Sequence, residues 1–178
     1  MFDSIFLVTN INILELNFVM KLKSIFFVAS FVFFFWIFIP RVLMNFNSIL
    51  GFIVFSSQLI KIIGYIVLVL AFSIIFHMTY LFVKYGKGTP SITEPTKKLV
   101  RRGIYKKTRN PMYISNTLVI LGIFFLNGHL LLLGYAIIFF ISMHLFLVYV
   151  EEPELKKKFG KPYEKFLEKI PRWIPRFK

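Results

Sequence analysis

The sequence predicts an all-α integral membrane protein. It should have four transmembrane helices, or five if residues 42–57 also cross, with the last two as a hairpin, a cytoplasmic loop and a C-terminal amphipathic helix. Three observations carry this. Apolar residues make up 57% of the 178-residue chain, which holds 24 Phe and has a mean hydropathy of +0.73; soluble domains lie nearer about 45–50%. Several apolar runs approach the roughly 20 residues that cross a bilayer as a helix. Positive charge is also confined, with nine of the 22 Lys and Arg between Lys84 and Arg109 and nine between Lys156 and Lys178.

Taken in order, Met1–Met20 is mixed apolar and Asn-rich, with Asp3 and Glu15 and no early basic region, so it does not resemble a cleaved signal peptide. Lys21 and Lys23 flank an apolar run, Leu22–Ile39, closed by Pro40-Arg41: the first helix. Its aromatic stretch Phe31–Trp36 suits lipid contact. Val42–Ser57 is ambiguous, because its apolar core Ile49–Phe55 is too short to span alone. Leu59–Val83 is the second helix, with His77 in its last turns as an ionisable candidate. Residues 85–110 form a long polar connection, with Leu99, Val100, Ile104 and Tyr105 interleaved with charge, as in a loop that docks on a membrane surface. Pro111–Leu126 is the third helix, with Pro111 in the first turn where a missing N–H is tolerated. Asn127-Gly128 permits only a tight antiparallel turn, and His129–Val150 is the fourth helix. In the tail, Leu155, Phe159, Tyr163, Phe166 and Ile170 recur at helical spacing, which predicts an amphipathic helix interrupted at Gly160 and Pro162. The whole, residues 1–178, is expected to be one membrane domain, with N-terminal membrane helices over 1–83 and the loop, hairpin and tail over 84–178.

The formal net charge of +14 argues for anionic membrane lipids as partners, not nucleic acid, because basic loops beside membrane helices mark the cytoplasmic side and attract anionic headgroups. Loop 84–110 and the C-terminus are therefore expected to be cytoplasmic. Cysteine is absent, which excludes disulfides, thiolate metal sites and a Cys nucleophile. His77, His129 and His144 show no metal-ligand spacing, and no metal is expected.

The hairpin brings its two free ends together. Arg109, Asn110 and Tyr113 stand at its entry; Tyr149, Glu151 and Glu152 stand at its exit. A ligand bearing a carboxylate and a cationic centre suits such a split site. Arg109 would take the carboxylate, and Glu151 an ammonium or ribose hydroxyls. His144, seven residues before Glu151, should share its face two turns deeper. Two glutamates at a helix C-terminus oppose the macrodipole and need compensation.

Gly86-Lys87-Gly88-Thr89-Pro90, Leu99-Val100, Gly103-Ile104-Tyr105, Arg109-Asn110-Pro111-Met112-Tyr113, then His144, Glu151-Glu152-Pro153, Phe159-Gly160, Tyr163 and Pro171-Arg172-Trp173 stand in an order that resembles the isoprenylcysteine carboxyl methyltransferase and phospholipid methyltransferase family. The resemblance covers about half the chain. It implies S-adenosyl-L-methionine as cofactor and methyl donor, and a lipophilic small-molecule substrate entering from the bilayer. It places cofactor contacts on Lys97, Lys98, Leu99, Val100, Tyr105, Asn110, Pro111, Met112, Tyr113 and Glu151, with Arg109 beside them. Gly86 and Gly88 match a G-x-G of phospholipid methyltransferases. Two departures stand out: Asn110 occupies the position of a histidine in the eukaryotic isoprenylcysteine enzymes, and Leu147 that of their substrate-site arginine. The acceptor implied is an isoprenylcysteine-type carboxylate or a lipid amine. A carboxylate needs no base, whereas an amine must lose a proton, for which His144 and Glu152 are the candidates. The competing reading is a non-catalytic membrane protein that keeps the fold for small-molecule binding or assembly.

Overall fold

The computed structural model describes residues 22–86 and 99–174, and these are helical apart from short connections. Helix α1 spans Leu22–Ile49 and α2 spans Gln58–Gly86. After a short 3₁₀ turn, Gly103–Lys106, α3 covers Pro111–Asn127. Helix α4 runs Leu130–Phe159 and α5 Lys161–Lys169. Three of these, α1, α2 and α4, are long and apolar enough to cross a membrane; α3 is a shorter apolar helix. Large apolar side chains such as Phe26, Ile66, Phe76 and Ile138 lie exposed along the three long helices, as lipid-facing surfaces require.

Helix α3 is central. It packs along α2 on one side and α4 on the other, burying Tyr113, Ser115, Asn116, Val119, Ile120 and Phe124. Glycine allows the α2–α3 approach. A Cβ on Gly64 would stand 3.0 Å from the Leu126 backbone nitrogen, and one on Gly122 2.6 Å from Leu68 Cδ2. Small residues at helix crossings let backbones close up where lipid offers no hydrophobic drive.

Pro40 does not close the first helix, contrary to the sequence reading. A wide π turn, Phe33–Phe38, precedes it, and Ile39 N–H bonds back five residues to Phe34 O. In that register the next donor would be Pro40, bonding to Phe35 O, and proline has none. The Tyr135 hydroxyl of α4 supplies it, donating to Phe35 O at 3.0 Å. The helix therefore continues to Ile49, and the aromatic stretch is only partly lipid-facing. Phe33 and Phe34 are exposed, but Phe31, Phe35 and Trp36 pack against the Ile120–Ala136–Phe139 cluster.

The ambiguous segment 42–57 thus divides. Its first half completes α1, and the rest is non-helical and pairs with the α3–α4 turn. Gly128 has φ +72° and its N–H caps Phe124 O, a left-handed C-cap suited to glycine. Phe55 N–H donates to Gly128 O at 2.9 Å. Asn47, fully buried, receives Leu131 N–H at 3.1 Å and donates to Phe52 O at 3.0 Å.

Helix α4 also outlasts its predicted end at Val150. A second π turn, Leu147–Glu151, closes with Glu152 N–H on Leu147 O and is followed by Pro153. The glutamates therefore lie inside a continuous helix, and the macrodipole objection to them does not arise. Gly160, at φ +57° and ψ −141°, breaks the tail at the predicted point.

Candidate functional site

The site forms where the α3 start, the α4 π turn and the tail meet. Glu152 is 8% exposed. Its Oε1 accepts from Arg109 Nη1 at 3.2 Å and from Arg172 Nε at 3.0 Å, and its Oε2 accepts from Arg172 Nη2 at 3.0 Å. Arg172 thus grips it bidentately, as a planar guanidinium allows and an ammonium does not. Backbone and amide bonds complete the clasp. Arg109 N–H donates to Pro171 O at 3.0 Å. The Arg172 carbonyl accepts from Thr108 Oγ1 and Asn110 Nδ2, each at 3.1 Å. The tail is pinned over the entry to α3.

Beside the clasp, Tyr113 Oη donates to Glu151 Oε2. Adjacent helical residues point about 100° apart, so Glu151 turns to α3 while Glu152 turns to the arginines. Tyr105 is buried in the cluster of Met78, Leu81 and Val100. Burial, then the charge of Glu151, push its hydroxyl far above the ordinary range. Burial and Glu152 do the same for Tyr163. Both therefore remain protonated. For Arg109, burial lowers the pKa while Glu152 opposes the shift. Its Nε is buried without a partner. No side-chain hydrogen bond caps α3, so the positive end of that helix has no side-chain partner beneath the tail.

Tyr105, Arg109, Asn110, Pro111, Met112, Tyr113, Glu151 and Glu152 therefore come together, with Met112 packed on the Val100–Tyr105 cluster. Val100 is buried in that cluster, and Leu99 lines a groove beyond it. Gly86 ends α2 and is buried, with no bond to the cluster. Gly88, Lys97 and Lys98 lie outside the described residues. His144 Nδ1 accepts from Trp173 Nε1 at 3.2 Å; Trp173 is the residue after the Arg172 that grips Glu152. His77 is exposed and lies against Gly103, whose Cβ would sit 2.6 Å from its Nε2. Sequence reasoning gave no site role to Arg172, Thr108 or Tyr163. A signal existed for Arg172: every earlier cation of the tail, from Lys156 to Lys169, is lysine, and the change to arginine marks a planar contact.

A multi-helix membrane protein with a paired-carboxylate, arginine-bearing site at one end of its central hairpin is the class these features define. Residues 59–162 match the phospholipid methyltransferase family model, and the chain belongs to that family, one of integral membrane methyltransferases. No curated protein matches the chain. The match covers α2 through the start of α5 and includes every described site residue except Tyr163, Pro171, Arg172 and Trp173.

Proposed function

We propose that the protein transfers a methyl group from S-adenosyl-L-methionine to a lipophilic acceptor dissolved in the bilayer. The observation that carries this is the Tyr113–Glu151 pair on the same hairpin end as a buried, unpartnered Arg109 Nε and the uncapped start of α3. A zwitterionic ligand needs such a split site. The cofactor supplies a methyl already activated on a sulfonium, so positioning and exclusion of water can provide most of the rate. Arg109 Nε and the first-turn N–H groups of α3 suit its carboxylate. Glu151, held by Tyr113, suits hydroxyl or ammonium donors, and Tyr105 closes the wall beneath. Leu99, Val100, Pro111 and Met112 supply apolar contact, and Gly86, Gly88, Lys97 and Lys98 are assigned to the cofactor by the family resemblance alone.

Glu152 holds the tail, with both oxygens engaged. His144 can accept a proton at Nδ1 only after releasing Trp173. A carboxylate acceptor requires neither event; a lipid amine requires one of them. The charge distribution supports placing loop 84–110 and the C-terminus in the cytoplasm, so that cofactor enters from water and acceptor from lipid.

Isothermal titration of S-adenosylhomocysteine into the purified protein tests the reading. Binding is expected, with Glu151→Gln and Tyr113→Phe each weakening it about tenfold or more, as for a lost charge-assisted hydrogen bond. Absence of binding to the folded protein would remove the enzymatic reading. Methyl-labelled cofactor incubated with membranes, followed by mass spectrometry of extracted lipids, identifies the acceptor.

A further inference from the structure

Away from the glutamates, an open cavity of about 740 Å³ lies between the end of α2 and the Leu99–Lys106 segment. Tyr80, Tyr85, Arg101, Arg102 and Lys106 line it, with Leu81 and Leu99 as apolar wall. Three cations face one space, and no carboxylate lines it among the described residues. Among the described residues none of the three forms an ion pair, since the pairs there are those of Glu152 with Arg109 and Arg172.

The arrangement is built, not merely charged. The Arg102 guanidinium carbon stands 4.6 Å from the Tyr85 ring centroid, which fixes its plane. Arg101 Nη2 donates to the Pro162 carbonyl of the tail, leaving its other N–H groups free to turn inward. Lys84 Nζ donates to Tyr80 Oη at 2.6 Å, so the Tyr80 hydroxyl proton remains available to an acceptor. The depth is also informative. Helix α2 has 29 residues, roughly 43 Å at about 1.5 Å per residue, longer than the ~30 Å hydrocarbon layer. Its last turns, Tyr80–Gly86, therefore reach the headgroup layer. None of the lining side chains bonds to the Tyr113–Glu151 pair or to Glu152.

We propose that this cavity binds the phosphate of an anionic membrane lipid. Arg101, Arg102 and Lys106 share its charge, Tyr80 donates to an oxygen, and the acyl chains leave toward the exposed apolar face of α2. Basic pockets beside membrane helices capture headgroups in this way. Leu99 and Val100 also line this cavity, so it adjoins the proposed cofactor contacts, but its cations serve a phosphate whether or not methyl transfer occurs.

The full chain, purified in neutral detergent, is titrated with a phosphatidic acid, with a phosphatidylcholine and with inorganic phosphate, and retained lipid is counted by native mass spectrometry. Phosphatidic acid is expected to bind and phosphatidylcholine to bind far more weakly. Arg101→Gln/Arg102→Gln/Lys106→Gln should weaken phosphatidic acid about a hundredfold, each cation contributing about fivefold. Lys156→Gln/Lys157→Gln/Lys158→Gln removes the same charge from the tail and should change binding less than about fivefold. Lys106 is exposed, so Lys106→Gln alone leaves the fold intact and should still cost about fivefold. Equal losses from the two triple variants, or an unchanged affinity in Lys106→Gln, would overturn the proposal. Displacement of the lipid by an equal concentration of inorganic phosphate would overturn the lipid as source and leave a free-phosphate site.

Discussion

Glu152→Gln is the perturbation that most sharply separates the two arginines. The side chains of Glu152 and Arg109 are 10% and 11% exposed, whereas Arg172 is 32% exposed. Glutamine keeps the shape but turns an NH₂ toward guanidinium N–H groups and leaves Arg109 buried beside another cation. Breaking a buried pair by removing one partner costs about 3–5 kcal/mol. Arg172→Ala removes two charge-assisted hydrogen bonds but leaves Glu152 paired with Arg109. With solvent screening at the more exposed partner, its cost is about 1–2 kcal/mol. The double variant should cost little more than Glu152→Gln alone, because the bonds of Arg172 all end on the same carboxylate or on backbone. Trp173 is the reporter: it packs on Phe140 at 4.8 Å between ring centroids and donates to His144. The chain has two Trp, and the indole nitrogen of the other, Trp36, is buried without a partner, so Trp36→Phe gives a single-Trp background. Sodium dodecyl sulfate titration followed by Trp173 emission measures the three costs. If Arg172→Ala equals or exceeds Glu152→Gln, or both fall within about 0.5 kcal/mol of the parent as surface changes do, the Arg109–Glu152 pair is not the buried anchor.

Three further outcomes follow from the geometry. Asn47→Leu should destabilise by about 2–3 kcal/mol in the same titration, because the Phe52 carbonyl and the Leu131 N–H lose their partner inside the protein. Gly103 has φ +56° and its Cβ would meet His77 Nε2 at 2.6 Å and Leu81 Cδ1 at 2.8 Å. Gly103→Ala should cost about 1–2 kcal/mol from the left-handed backbone plus the clash, and adding His77→Ala should recover only part of it. At the α2–α3 crossing, Gly64→Val should destabilise more than Gly122→Ala, since the first meets the Leu126 backbone and the second the movable end of Leu68.

Helix existence was legible because apolar length alone sets it, and the hairpin was legible because Asn127-Gly128 leaves no room for another connection. The helix ends at Pro40 and Val150 were misplaced for one physical reason. Proline forbids a hydrogen bond at one register, and a π turn moves the register so that the helix survives. Nothing local distinguishes Pro40 as a stop from Pro40 after a π turn; the difference lies in Tyr135, about a hundred residues away, which supplies the missing donor to Phe35 O. In the site, Arg109–Tyr113 and the glutamates were legible as two halves, because a hairpin must juxtapose its ends. Their division of labour was not, because it depends on where the tail returns.

That division follows from the second π turn. Two carboxylates in sequence cannot serve one partner on a helix, and here each has its own: Tyr113 for Glu151 and the arginines for Glu152. Arg109 belongs to both halves, spending Nη1 on Glu152 while its Nε stays unpartnered. An anion at that Nε would therefore engage the guanidinium that shares the Glu152 carboxylate with Arg172 of the tail. On the proposed function, ligand binding and tail docking are coupled through that shared carboxylate, and by linkage the coupling acts equally in both directions. To the extent that Arg172→Ala undocks the tail, it should weaken S-adenosylhomocysteine, up to the factor by which the ligand strengthens Trp173 docking. Titration calorimetry on the variant and Trp173 emission on the parent, with and without ligand, measure the two factors. A variant whose tail is undocked yet binds the ligand with parental affinity would show that Glu152 does not couple the two.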